Sequence, residues 1–197
     1  MTACTRPGRG KSLIASPEDY VCIDLETTGL RPSSDYIIEV AAYRVRGGVA
    51  EDRFVSFVRP AEIAKVSSFI TGLTGITKAM VADAPLPSEV LPRLFEFIGD
   101  DMVLGHNTCF DMNFLYDGAL RAGLDPIGND FTDTMRISRR TYRGLPNHRL
   151  GTLAEHLDVT PSIAHRAAAD VETTIRCYEL MVKARRAVIP EWGLQGF

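Results

Sequence analysis

The sequence predicts an α/β domain built on one mixed β-sheet, an antiparallel meander plus parallel strands, with helices on its faces. Three observations predict it. Three apolar, β-branched runs follow one another between residues 20 and 58, divided by glycine-bearing turns. Beyond them, short apolar runs alternate with stretches of helical periodicity, the pattern of strands separated by crossover helices. No repeat or low-complexity block interrupts either half.

Residues 1–17 carry Pro7, Gly8, Gly10 and several basic side chains, and read as a flexible basic tail ahead of a domain spanning 18–186. The first strand runs from Tyr20 through Glu26 and stops at Thr27-Thr28-Gly29. Ile37 to Arg46 forms the second, Gly47-Gly48 the hairpin turn, and residues 53–58 the third, ended by Pro60. Ser88 is placed to cap a helix through Val90, Leu91, Leu94 and Ile98, with Gly99 stopping it. A short strand at 102–104 leads to Gly105-His106-Asn107, and a helix follows from about Phe110 to Ala122. Phe131 to Asp133 reads as another strand, followed by a basic helical stretch holding Arg136, Arg139, Arg140 and Arg143. A short helix over 152–157 and a long one from Ala167 to about Arg186 complete the domain, leaving residues 187–197 as a short tail.

Composition narrows the class. The chain has 197 residues, 45% of them hydrophobic and 24% charged, which fits one globular domain. No apolar run approaches the ~18–20 residues a membrane span needs, and the polar, basic start argues against a secretory signal. The four cysteines, Cys4, Cys22, Cys109 and Cys177, form no close-spaced pair, so zinc sites and redox dithiols are not expected. A cytoplasmic protein with no membrane partner is the expectation.

Several acids stand where acids are costly. Asp24 and Glu26, two apart in a strand, share one face beside an apolar core, where like charges repel and lose solvation. A cation would relieve both penalties; a solvated strand end would avoid them. Asp111 lies on a helical stripe with Phe114, Leu115, Gly118 and Ala122. Its first-turn place is favourable by about 0.3–1 kcal/mol, which leaves its inward face unexplained. Asp170 repeats the pattern with Thr174, Cys177 and Met181, and His165 precedes it by five residues. A structural His–Asp hydrogen bond and a catalytic pair both fit that spacing. Taken together, hard oxygen ligands without thiolates suit Mg²⁺ or Mn²⁺. A carboxylate cluster without a glycine-rich phosphate cradle points to two-metal phosphodiester hydrolysis.

At these residues the sequence resembles the DEDD superfamily of 3′→5′ exonucleases, in the DEDDh branch typified by the proofreading epsilon subunit of bacterial DNA polymerase III. The first motif is Ile23-Asp24-Leu25-Glu26-Thr27-Thr28-Gly29-Leu30, and the second is Gly105-His106-Asn107-Thr108-Cys109-Phe110-Asp111. The third is His165-Arg166-Ala167-Ala168-Ala169-Asp170, with the histidine that marks this branch. Thr74-Gly75-Ile76-Thr77 and residues 153–157 also resemble the family's connecting segments.

The resemblance implies a ribonuclease H-like sheet and a metal-dependent 3′→5′ exonuclease. Asp24, Glu26, Asp111 and Asp170 would hold two Mg²⁺ or Mn²⁺ ions, and His165 would take the proton of the attacking water. Activity would then rise between roughly pH 6 and 8. Thr27, Thr28, Leu30, His106, Asn107 and Phe110 would contact the terminal nucleotides, although a turn role for Asn107 and a core role for Phe110 fit as well. The expected substrate is the 3′ end of single-stranded or frayed DNA, releasing nucleoside 5′-monophosphates. RNA 3′-end trimming is the alternative within the family, and a non-catalytic nucleic-acid-binding module the alternative outside it. A polymerase partner is left open, since the short C-terminal tail lacks the longer segment through which epsilon-type subunits attach. The net charge of −3 does not oppose a polyanionic substrate, because bound divalent ions would offset it.

Overall fold

A computed structural model describes residues 6–160 and 166–188, with side chains to residue 184. Six strands form one mixed sheet: β1 (Ser12–Leu13), β2 (Tyr20–Thr27), β3 (Ile37–Arg46), β4 (Val49–Phe57), β5 (Val103–Gly105) and β6 (Phe131–Asp133), in the order β1-β6-β5-β2-β3-β4. Strands β2, β3 and β4 are antiparallel, whereas β5 pairs in parallel with both β2 and β6. This is the mixed sheet that the sequence predicts.

Central strand β2 is apolar on both faces, as strands covered on both sides are. Val21, Ile23 and Leu25 pack with Leu91 and Leu94 of α3 (Pro87–Ile98) and with Phe114 and Leu115 of α4 (Cys109–Arg121). Tyr20 and Cys22 turn the other way. They meet Val171, Cys177 and Tyr178 of α7 (Ala167–Val188), beside α5 (Thr134–Thr141) and α6 (Leu150–His156). A third, smaller cluster packs Ile38 beneath α1 (Ser68–Thr74) and α2 (Lys78–Ala82). Among the described residues, no helix is long and apolar enough to cross a membrane.

Some boundaries differ from the sequence reading for physical reasons. Gly47 and Gly48 both take positive φ, 53° and 82°, so the hairpin closes tightly and β4 begins at Val49 rather than at residue 53. Its first five residues are exposed, and Glu51, Asp52 and Arg53 are charged, a solvated edge with little apolar signal. Ser88 is not the cap of α3. The chain enters that helix through Pro87, and the Glu89 carboxylate accepts the Leu86 N–H at 2.8 Å. Helices α1 and α2, seven and five residues long, are too short to display a helical period and were not expected.

The flexible tail expected over 1–17 does not hold for residues 6–17; residues 1–5 lie outside the described set. The Arg6 guanidinium grips the Asp117 carboxylate with two 2.7 Å bonds, and the Pro7 carbonyl accepts Tyr116 O–H at 2.8 Å. Strand β1 pairs with β6, and the Pro17 carbonyl accepts Tyr178 O–H at 2.7 Å. The basic residues find partners on α4, and β6 offers an unpaired edge to the arm. Of the expected C-terminal tail, residues 187 and 188 continue α7, and the remainder lies outside the described residues.

Candidate active site

The parallel strands β2, β5 and β6 end at one edge of the sheet, and the crossover helices diverge there, the usual position of a ligand crevice in an open α/β sheet. Asp24 and Glu26 project from the end of β2 onto the face that α7 covers, in phase with Tyr20 and Cys22. The register slips between Glu26 and Thr27, which ends the regular strand just beyond the acid pair. Asp170 comes from the first turn of α7. Asp24, Glu26 and Asp170 each place one carboxylate oxygen so that the three lie within 4.8 Å of one another.

Asp111 approaches from the first turn of α4 and is buried. Burial raises its pKa well above the carboxylate range, while its own backbone N–H and that of Leu25 pull it back down. Asp24 is the hub. Its pKa is raised by burial first, then by the charges of Asp111, Asp170, Glu26 and Glu39. Glu26 is pushed up to about 7 by burial and by the Asp170 and Glu39 charges, with Arg166 opposing. Such a cluster is short of positive charge, and its donors are all hard oxygens, so these residues fit one or more divalent cations. His165, the expected base, lies outside the described residues.

Two further acids, unforeseen in the sequence, hold the surrounding backbone. Asp133, at the end of β6, accepts the N–H groups of Met135 and Asn107, each at 2.9 Å. It thereby caps α5 and fixes the turn at Asn107, whose φ of 66° is left-handed. Glu39, in mid-β3, accepts two bonds from Arg166 and one from the Ala167 N–H. A capping signal announced Asp133, a short polar residue just before a helix. For Glu39 the available signal was an acid inside the apolar run from Ile37 to Val45.

The expected substrate contacts divide. His106 is engaged on both ring nitrogens, with Thr134 Oγ1 at 2.9 Å and the His148 carbonyl at 2.8 Å, so it ties β5 to α5 and to the segment before α6. Both ring nitrogens thus serve an internal bridge. Thr27 donates its hydroxyl to the Gly29 carbonyl at 2.7 Å, and Thr28 Oγ1 accepts the Tyr36 N–H at 3.0 Å; both shape the loop after β2. Leu30, at the tip of that loop, is 82% exposed. Phe110 is half-buried and packs against Phe114 with ring centroids 4.7 Å apart. Asn107 presents an exposed side chain above the anchored turn.

Fold and site together define a ribonuclease H-like domain with a carboxylate cluster at the edge of its mixed sheet. A sequence profile described as Exonuclease, of the RNase T family, matches residues 21–178. The chain belongs to that exonuclease family. It is 40% identical to the PolC-type DNA polymerase III of Bacillus cereus over 176 residues, 89% of this chain and 12% of that protein. The corresponding protein of Bacillus subtilis is 40% identical over 169 residues, 84% of this chain and 12% of that one. Among solved structures, exonuclease I superposes with a TM-score of 0.75 at 25% identity, covering 87% of this chain and 42% of that chain. E. coli exonuclease I in complex with a dT13 oligonucleotide superposes with a TM-score of 0.76 at 24% identity, over 87% and 42% of the two chains. The chain thus spans about an eighth of the length of these polymerase relatives.

Proposed function

We propose that the chain is a 3′→5′ exonuclease unit that hydrolyses the terminal phosphodiester of single-stranded or frayed DNA and releases nucleoside 5′-monophosphates. The observation that carries this reading is the convergence of Asp24, Glu26 and Asp170 within 4.8 Å, with buried Asp111 beside Asp24. The four acids would hold two Mg²⁺ or Mn²⁺ ions, which, when bound, supply Lewis acidity toward water and charge neutralisation at the phosphate. Asp24, whose carboxylate feels the charges of Asp111, Asp170 and Glu26, would be a ligand of the metal centre. His165, next in sequence to the anchored Arg166, would accept the water's proton. Leu30 would press on the terminal base, and Phe110 would offer a partly open ring edge. The catalytic unit spans residues 18–186, with residues 6–17 laid along it.

DNA rather than RNA is supported by the polymerase relatives and by the oligonucleotide complex of the structural neighbour. The same relatives support work alongside a polymerase. One gel assay tests the reading: 5′-labelled single-stranded DNA, mismatched duplex and RNA are incubated with the full chain in Mg²⁺ or Mn²⁺. Stepwise 3′ shortening of DNA, abolished by EDTA, is expected. Faster shortening of RNA would reassign the substrate, and EDTA-resistant shortening would remove the metals.

A further inference from the structure

Glu39 is a buried acid to which the proposed chemistry gives no task. It is 2% exposed, stands directly opposite Glu26 across the β2–β3 pairing, and yet falls outside the group of three converging carboxylates. Both its oxygens are occupied. Oε1 accepts Arg166 Nη2 at 2.8 Å, while Oε2 accepts Arg166 Nε and the backbone N–H of Ala167, each at 3.2 Å. One carboxylate therefore grips two consecutive residues.

Those residues open α7. Ala167 is its first residue, and its N–H is among those without an intrahelical acceptor, so Glu39 caps the helix from a neighbouring strand and sets negative charge at its positive end. The forked pair with Arg166 adds direction, since a guanidinium meets a carboxylate in one plane. Asp170 follows Ala167 by three residues, within the same first turn, and points into the carboxylate cluster. Because β3 is paired along its length with β2, the grip ties the start of α7 to the strand that carries Asp24 and Glu26.

We propose that Glu39 is a positioning residue of the metal centre, clamping Arg166 and Ala167 so that the Asp170 carboxylate is held in register with Asp24 and Glu26. The inference rests on reading the acid cluster as a divalent-metal site.

The test uses the full chain as wild type, Glu39→Gln, Arg166→Lys and Asp24→Asn. Mn²⁺ affinity is read by thermal-shift titration without substrate, and kcat and KM are read on 5′-labelled single-stranded DNA. Glu39→Gln is expected to weaken Mn²⁺ binding by about 10- to 100-fold and to lower kcat, with KM for DNA held within about threefold. Arg166→Lys keeps the charge but loses the fork, and moves Mn²⁺ affinity the same way by a smaller factor. It also preserves the test should Glu39→Gln not fold. Unchanged Mn²⁺ affinity in folded Glu39→Gln and Arg166→Lys overturns the clamp, whether or not the chain shortens DNA. A raised KM with unaltered Mn²⁺ affinity overturns it too, by making Arg166 a substrate contact. If wild type and Asp24→Asn bind Mn²⁺ equally, the metal-site reading itself fails and the clamp falls with it.

Discussion

Glu26 and Glu39 face each other across the antiparallel pairing of β2 and β3, on the same side of the sheet, and have different neighbours. Glu39 is neutralised by the Arg166 fork, whereas Glu26 leans toward Asp24 and Asp170. Two like charges directly opposite one another destabilise a sheet. One acid has its cation within the fold; in the proposed metal site the other would receive one from solution.

Relief of that charge crowding should be measurable. Asp24→Asn removes the carboxylate on which Asp111, Asp170, Glu26 and Glu39 all act. In metal-free buffer its melting temperature is expected to rise by about 2–6 °C, while 3′ shortening of DNA falls by about 10²-fold or more. Differential scanning fluorimetry and the gel assay read the two effects. A mutant that keeps full activity would sink the proposed role of Asp24.

Glu26 supplies a pH dependence with a definite sign. Its pKa in the folded chain is pushed up from an ordinary 4.5 to about 7, so the folded state binds the proton more tightly than the unfolded chain. The resulting stabilisation is complete below 4.5 and is lost as pH rises through about 7. In EDTA, the melting temperature of wild type relative to Glu26→Gln should therefore decline from about pH 5 to pH 8. Added Mn²⁺ should raise the melting temperature more at the alkaline end, because binding displaces the proton. A wild-type-minus-mutant difference that stays flat over this range would contradict the shift.

Leu30 separates folding from function. With 82% of it exposed, Leu30→Ala should change stability by no more than about 0.5 kcal/mol. If Leu30 presses on the terminal base as proposed, shortening of single-stranded DNA should fall severalfold, and shortening of a mismatched duplex end, which must first be opened, should fall further. Equal losses on both substrates would reduce Leu30 to a general contact.

The amino-terminal arm is expected to carry stability rather than chemistry. Deleting residues 1–16 removes β1, the Arg6–Asp117 fork and the Tyr116–Pro7 bond. The melting temperature should fall by about 5–10 °C, and the rate per folded molecule should stay near wild type. A melting temperature that does not move would show that the arm contributes nothing to the fold in solution.

Much of this was legible in the residues themselves. The strand from Tyr20, the meander and the long last helix follow from apolar periodicity, and the four acids betray themselves by standing on apolar faces at element ends. What escaped depends on partners far away in sequence. β1 is two residues long and exists only because β6 has an open edge. His106 reads as a free polar side chain until α5 brings Thr134 and the His148 carbonyl to its two nitrogens. Glu39 reads as an isolated acid in a strand until Arg166 arrives from 127 residues away.

The loop between β2 and β3 carries one more consequence. Thr28 N–H donates to the Tyr36 carbonyl at 2.9 Å, and Tyr36 N–H returns a bond to Thr28 Oγ1, while the Asp35 carboxylate takes the Arg31 N–H at 2.8 Å. A β-carbon at Gly29 would stand 2.5 Å from that carboxylate, so the glycine lets the loop draw shut. Leu30 thus rides on a stiff mount despite its exposure. A base meeting it has no wandering backbone to freeze, and the entropy of ordering that contact was already spent when the chain folded.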